Sequence, residues 1–100
     1  MRSIVHVDIV VPLTDQDLPI SYEMFETFEH FLAVLVGEFI RSHCTCVRRS
    51  SSAKLILTPC RVYAVVLDAK TAKAQMDDIN SLVEAYFKKL AFLEFTHTRA

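Results

Sequence analysis

His6 and Asp8 stand two residues apart in the segment SIVHVDIVV, which ends at Pro12. On a β-strand that spacing puts both side chains on one face. An imidazole beside a carboxylate is the usual apparatus of general acid–base chemistry. The carboxylate raises the imidazole pKa and favours imidazolium, and the ring can then exchange a proton with a bound substrate. Glu94, in the strand-like segment AFLEFTH, is a second carboxylate for the same role. Arg61 and Tyr63 are also two apart and suit an anionic substrate, arginine through its fork of donors. The candidate catalytic set is His6, Asp8 and Glu94, with Arg61 and Tyr63 as substrate-binding partners. Polar residues on a half-exposed sheet face are more often solvated or paired across strands. The set becomes a site only if the fold gathers it.

The most metal-like stretch is His43-Cys44-Thr45-Cys46. Imidazole and thiolate are good zinc ligands. On a strand, however, Cys44 and Cys46 share one face and His43 takes the other. The remaining cysteine is Cys60, and there is no C-x-x-C spacing. No metal site and no cofactor is expected, and buried structural thiols are the ordinary reading. With one glycine in the chain, a phosphate-cradling glycine-rich loop is close to excluded. Three cysteines cannot all pair among themselves. That odd count and the lack of a leader-like start point to a soluble, cytoplasmic protein. No apolar run approaches the length of a bilayer span.

Arg41, Arg48, Arg49, Lys54 and Arg61 fall in a span with no acid between Glu38 and Asp68. Arg48, Arg49 and Lys54 flank the polar segment RRSSSA, which reads as a solvated hairpin tip. The same three residues are the candidate polyanion contacts. Net charge over the 100 residues is −1, so no global field draws nucleic acid or membrane.

These residues need a scaffold, and the hydrophobic pattern supplies one. In the first strand Val5, Val7, Ile9 and Val11 form a wholly apolar face. Ile4, His6, Asp8 and Val10 form a mixed one. Pro12–Ile20, with two prolines and no periodicity, reads as a loop. Ser21 suits a helix N-cap, and Phe25, Phe28, Leu32, Leu35, Val36 and Phe39 recur at helical spacing up to Gly37 and just beyond. Gly37, the single glycine, suits the position that closes a helix in a left-handed conformation. Phe39–Val47 reads as a strand, Lys54–Thr58 as a short one, and Arg61–Asp68 as another, continuous with it through a kink at Pro59. The stripe Met76, Ile79, Leu82, Val83, Tyr86, Phe87 and Leu90 marks a second helix over about 71–90. Ala91–His97 closes the chain as a strand, with Phe92, Glu94 and Thr96 on the face opposite Leu93 and Phe95.

The order β-α-β-β-α-β is the ferredoxin-like pattern, an α+β fold. It implies a single domain spanning residues 1–100, a four-stranded antiparallel sheet with strands one and three central, and two helices on one face. The other face is left open. If Arg61 and Tyr63 turn that way they join His6, Asp8 and Glu94; the alternative register presents Val62, Ala64 and Val66 instead. Hydrophobic residues make up 52% of the chain, more than one small domain readily hides. A homo-oligomer, first of all a dimer, is therefore expected, with Ile4, Val10 and Phe92 in the contact and a small-molecule pocket between sheets as an accompaniment. Barrel-like dimers of this fold include small enzymes, and there His6 would be the acid–base group. RNA-binding versions stack bases on aromatics of the central strands. Here Tyr63 stands alone in that respect, so nucleic acid is disfavoured as a partner.

Overall fold

The structure is a computed structural model that describes the backbone of residues 3–99 and the side chains of residues 3–94. Its centre is β1 (Ser3–Pro12), flanked by β5 (Leu55–Asp68) and β6 (Phe92–Arg99). With β4 (Ile40–Arg49) outside β5, the four strands lie in the order β4-β5-β1-β6, all antiparallel. The alternation in β1 decides the layering. Val7, Ile9 and Val11 are fully enclosed, together with Tyr63, Val65 and Leu67 on the same side of β5. They pack on Phe25, Phe28 and Leu32 of α1 (Tyr22–Val36) and on Ile79, Val83 and Phe87 of α2 (Ala72–Phe87). Both helices therefore shield one face of the sheet, and the fold is the ferredoxin-like α+β arrangement. The Phe28 ring is the keystone of this layer. Its centroid is 5.3 Å from that of Tyr63 and 4.8 Å from that of Phe87, tilted and edge-on geometries that aromatic pairs favour.

Local chemistry sets the element ends. Ser21 Oγ accepts the Met24 N–H at 3.2 Å, capping α1. Gly37, at φ +85°, closes it and donates its N–H to the Ala33 carbonyl at 2.8 Å. After α2 a short 3₁₀ turn, Lys88–Leu90, leads into β6.

Four boundaries differ from the sequence reading. The loop after Pro12 holds a miniature hairpin, β2 (Thr14–Asp15) with β3 (Leu18–Pro19). Its turn residues Gln16 and Asp17 both take positive φ without the glycine or asparagine that usually marks such a turn. β4 starts one residue later and runs two further than expected, and β6 is displaced similarly. β5 is one uninterrupted strand rather than two pieces joined at a kink. The Pro59 carbonyl accepts from Leu13 N–H on the β1 side. The Pro59 nitrogen faces the same edge, just past Cys60, whose partner Pro12 ends β1. The missing donor therefore takes no bond from the β4 ladder.

Beyond Cys60, β5 pairs with β4 alone, and the two form a projecting arm, Thr45–Arg49 against Leu55–Pro59. Ser50 N–H to Lys54 carbonyl and Ala53 N–H to Ser50 carbonyl close its tip, with Ala53 at φ +63°. Val47, Leu55 and Leu57 of the arm are exposed.

Candidate functional site

The open face has a definite register. Across β1, Asp8 lies opposite Ala64 on one side and Glu94 on the other. His6 lies opposite Val66, and Val10 between Val62 and Phe92. His6, Asp8 and Glu94 thus share one face, as their spacing predicts. The chemistry expected of them is not assembled within one chain. His6 is exposed, and no carboxylate among the described residues bonds to it. Asp8 and Glu94 are directly opposed like charges, with no cation paired to them among the described residues. Around them the surface is apolar: Val66 is 55% and Phe92 45% exposed, Ile4 is half-buried and Ile40 exposed. Val10, expected at a contact, is already enclosed within the chain. The side chain of Thr96 lies outside the described residues.

Arg61 and Tyr63 do not join this set. The uninterrupted β5 gives the open face to Val62, Ala64 and Val66 and turns Arg61 and Tyr63 beneath α1, which corrects their assignment beside His6. The reason lies on α1. Glu29 Oε2 accepts from Arg61 Nη1 at 2.8 Å and from Tyr63 Oη at 2.9 Å, and Glu29 Oε1 accepts from Arg41 Nη1 at 2.7 Å. The Arg61 guanidinium also lies over the Phe25 ring, 4.4 Å from its centroid. Burial, and secondarily the Glu29 carboxylate, pushes the Tyr63 phenol far above its ordinary range, while Arg61 opposes this. This cluster is a clamp between helix and sheet, and both its cations are engaged. Glu29 escaped sequence reasoning, although it leaves a trace. It falls four after Phe25 and three before Leu32, a carboxylate inside an apolar stripe, and such a group needs a buried cation.

The run of five cations is divided accordingly. Arg41 and Arg61 are bound to Glu29, leaving Arg48, Arg49 and Lys54 at the end of the arm. Arg48 and Arg49 are consecutive in β4 and project to opposite faces of the arm, so they do not build one flat basic surface.

The three thiols gather on the open face where the arm leaves the sheet. Cys44 lies directly opposite Cys60 and Cys46 opposite Thr58. Cys60 Sγ is 3.1 Å from Cys46 Sγ and 3.4 Å from the Thr58 carbonyl oxygen. A thiol has one proton, so when Cys60 donates to the carbonyl, Cys46 donates to the Cys60 sulfur. The bond with Cys60, then burial, raises the Cys46 thiol pKa; burial, then the nearby Cys46, raises that of Cys44. Among the described residues, no group of three His, Cys, Asp or Glu side chains is arranged to hold a metal ion.

The clefts of the single chain lie elsewhere. One of about 800 Å³ opens between the β2–β3 turn and the end of α2, lined by Leu18, Ile20, Met24, Tyr86 and Leu90 with Lys89 at its edge. Neither it nor a second cleft of about 700 Å³ beside Phe92 includes His6 or Asp8. No helix among the described residues is long and apolar enough to cross a membrane.

No family model and no curated protein matches the chain. Solved structures do. GlnK of B. subtilis, described in complex with ATP, aligns over 96% of this chain and 82% of its own, at 13% identity and a TM-score of 0.65. A phage SAM lyase in complex with S-methyl-5′-thioadenosine aligns over 93% and 80%, at 12% identity and a TM-score of 0.62. CutA from Synechococcus elongatus aligns over 100% and 79%, at 7% identity and a TM-score of 0.62. At these identities the likeness is one of fold.

Proposed function

We propose that this chain is a homo-oligomeric α+β domain whose bare sheet face is buried against copies of itself, with a small-molecule pocket at that contact. The observation that carries the reading is the uncovered face, where Val66 and Phe92 keep about half their surface in water while both helices serve the other side. Charge supports a second copy as the occupant. The face presents the opposed carboxylates Asp8 and Glu94, and the arm ends in Arg48, Arg49 and Lys54, none of them ion-paired among the described residues. One copy thus carries both halves of a complementary pair. The arm points the same way, because a two-stranded ribbon exposing Val47, Leu55 and Leu57 is poorly stable without something packed on it. Within such a contact His6 would leave bulk water and meet a carboxylate, which an acid–base role requires.

Light scattering on the purified chain is expected to give a mass of two or more protomers at micromolar concentration. Val66→Asp, which puts a third carboxylate beside Asp8 on the apolar patch, is expected to lower that mass while leaving the circular dichroism spectrum unchanged. A wild-type chain that stays monomeric at 100 µM would defeat the proposal (a concentration on the order of ordinary weak association constants). For the pocket, ATP and S-methyl-5′-thioadenosine are natural first probes, because two chains of this fold are described with them. A rise in melting temperature with either supports an adenosine-type ligand; no shift at millimolar ligand rejects that class.

A further inference from the structure

We propose that Cys46 and Cys60 form an intrachain redox pair, closing a cross-strand disulfide that ties β4 to β5 at the root of the arm. The two sulfurs already stand 3.1 Å apart, within about 1 Å of bonding distance. They belong to neighbouring strands of one sheet, with Cys46 opposite Thr58 and so diagonal to Cys60, and closure brings no distant segments together. Access is graded. Cys44 is exposed, Cys46 half-buried and Cys60 enclosed. Cys46 is thus the pair's entry point, and Cys60 is shielded from reagents other than its neighbour.

The co-reactant is a small-molecule disulfide, of which oxidised glutathione is the usable example. The Cys46 thiolate attacks one sulfur of that disulfide, breaking its S–S bond, forming a mixed disulfide and releasing one thiolate. Cys60 then gives up its proton and attacks the Cys46 sulfur. The mixed S–S bond breaks, the second small thiolate leaves, and the Cys46–Cys60 bond forms. Each released thiolate takes up one of the two protons given up by the protein. In sum, the protein dithiol is oxidised by two electrons, and one small disulfide is reduced to two thiols. Cys44 is the competing thiol, since it lies directly opposite Cys60.

The pairing lies within one chain and does not depend on oligomer formation, so its failure and that of the proposed self-association are read separately. The reduced full chain is incubated with oxidised glutathione to a plateau, quenched in acid, alkylated under denaturing conditions and weighed. The expected product is a monomer 2 Da lighter with one alkylatable thiol in place of three, returned to three by dithiothreitol. Cys44→Ser is expected to oxidise to the same extent and leave none. Cys46→Ser and Cys60→Ser are expected to keep their remaining thiols free or carry glutathione. Three unchanged thiols in the wild type, a stable glutathione adduct or a disulfide-linked dimer as its main product would overturn the proposal. So would full intrachain oxidation of the Cys46→Ser variant, which would assign the bond to Cys44.

Discussion

Removing the Glu29 carboxylate is the most direct test of the helix–sheet clamp. Glu29 is 18% and Arg61 12% exposed at the side chain, so this pair is largely shielded from water, while Arg41 is 45% exposed. Glu29→Ala leaves the Arg61 guanidinium without its partner, and its Nε already has none. The Arg61 and Tyr63 bonds both end on the Glu29 carboxylate, and a bond of that kind lost at such a site costs about 1.5–3 kcal/mol. The Arg41 contact, screened by solvent, adds close to nothing. The sum, about 3–6 kcal/mol, brackets the roughly 3–5 kcal/mol typical of breaking a buried pair from one side. For a chain of 100 residues, about 3–5 kcal/mol is a fall in melting temperature of roughly 12–40 °C. Urea unfolding at one fixed protomer concentration is the assay, read as a midpoint shift at unchanged slope. The double variant Glu29→Ala with Arg61→Met removes both charges and is expected to recover about 1.5–3 kcal/mol relative to additivity. A loss below about 1 kcal/mol for Glu29→Ala, or strict additivity in the double variant, would refute the clamp.

The buried Tyr63 phenol makes the fold sensitive to alkali. Its folded-state pKa lies above the ordinary 10.0, so its contribution is whole below pH 10 and is lost as pH climbs through the folded value. Wild type is expected to lose stability by up to about 1.4 kcal/mol per pH unit more steeply than Tyr63→Phe above pH 10, and parallel curves from pH 9 to 11 would contradict this. At the arm tip, Ala53→Gly is expected to stabilise by about 0.5–1 kcal/mol in the same unfolding assay, since φ +63° burdens a Cβ; a loss would mean the tip is not so shaped.

The fold was legible because the apolar residues keep time. Val5, Val7, Ile9 and Val11 alternate and Phe25, Phe28 and Leu32 step by three and four, so layer and face follow from period alone. Ser21 and Gly37 mark the ends of α1 through chemistry that few other residues supply. Periodicity does not report which edge of a strand a backbone nitrogen faces. Pro59 therefore read as a kink, although it sits where its missing donor takes no bond from β4, and the facing of Arg61 and Tyr63 stayed open with it. The turn at Gln16 and Asp17 was silent for a related reason: the pairing of β2 with β3 sets two ordinary exposed residues at positive φ, and no glycine announces it. Of the candidate site, the shared face of His6, Asp8 and Glu94 could be read from parity. Glu29 could not be matched to its partners, because pairing across elements 32 and 34 residues apart has no local signature.

The two strands of the arm are rooted differently. β4 runs along the rim, whereas β5 continues inward as the plank between β4 and β1. Whatever grips the far end of the arm therefore pulls on the plank, and the first groups along it that are bonded to a helix are Arg61 and Tyr63. The bonds to Glu29 then act as the fulcrum of a beam whose long end hangs free. Tilting that beam loads α1 through Glu29, so a change in amide exchange along α1 would register a grip applied at the far tip.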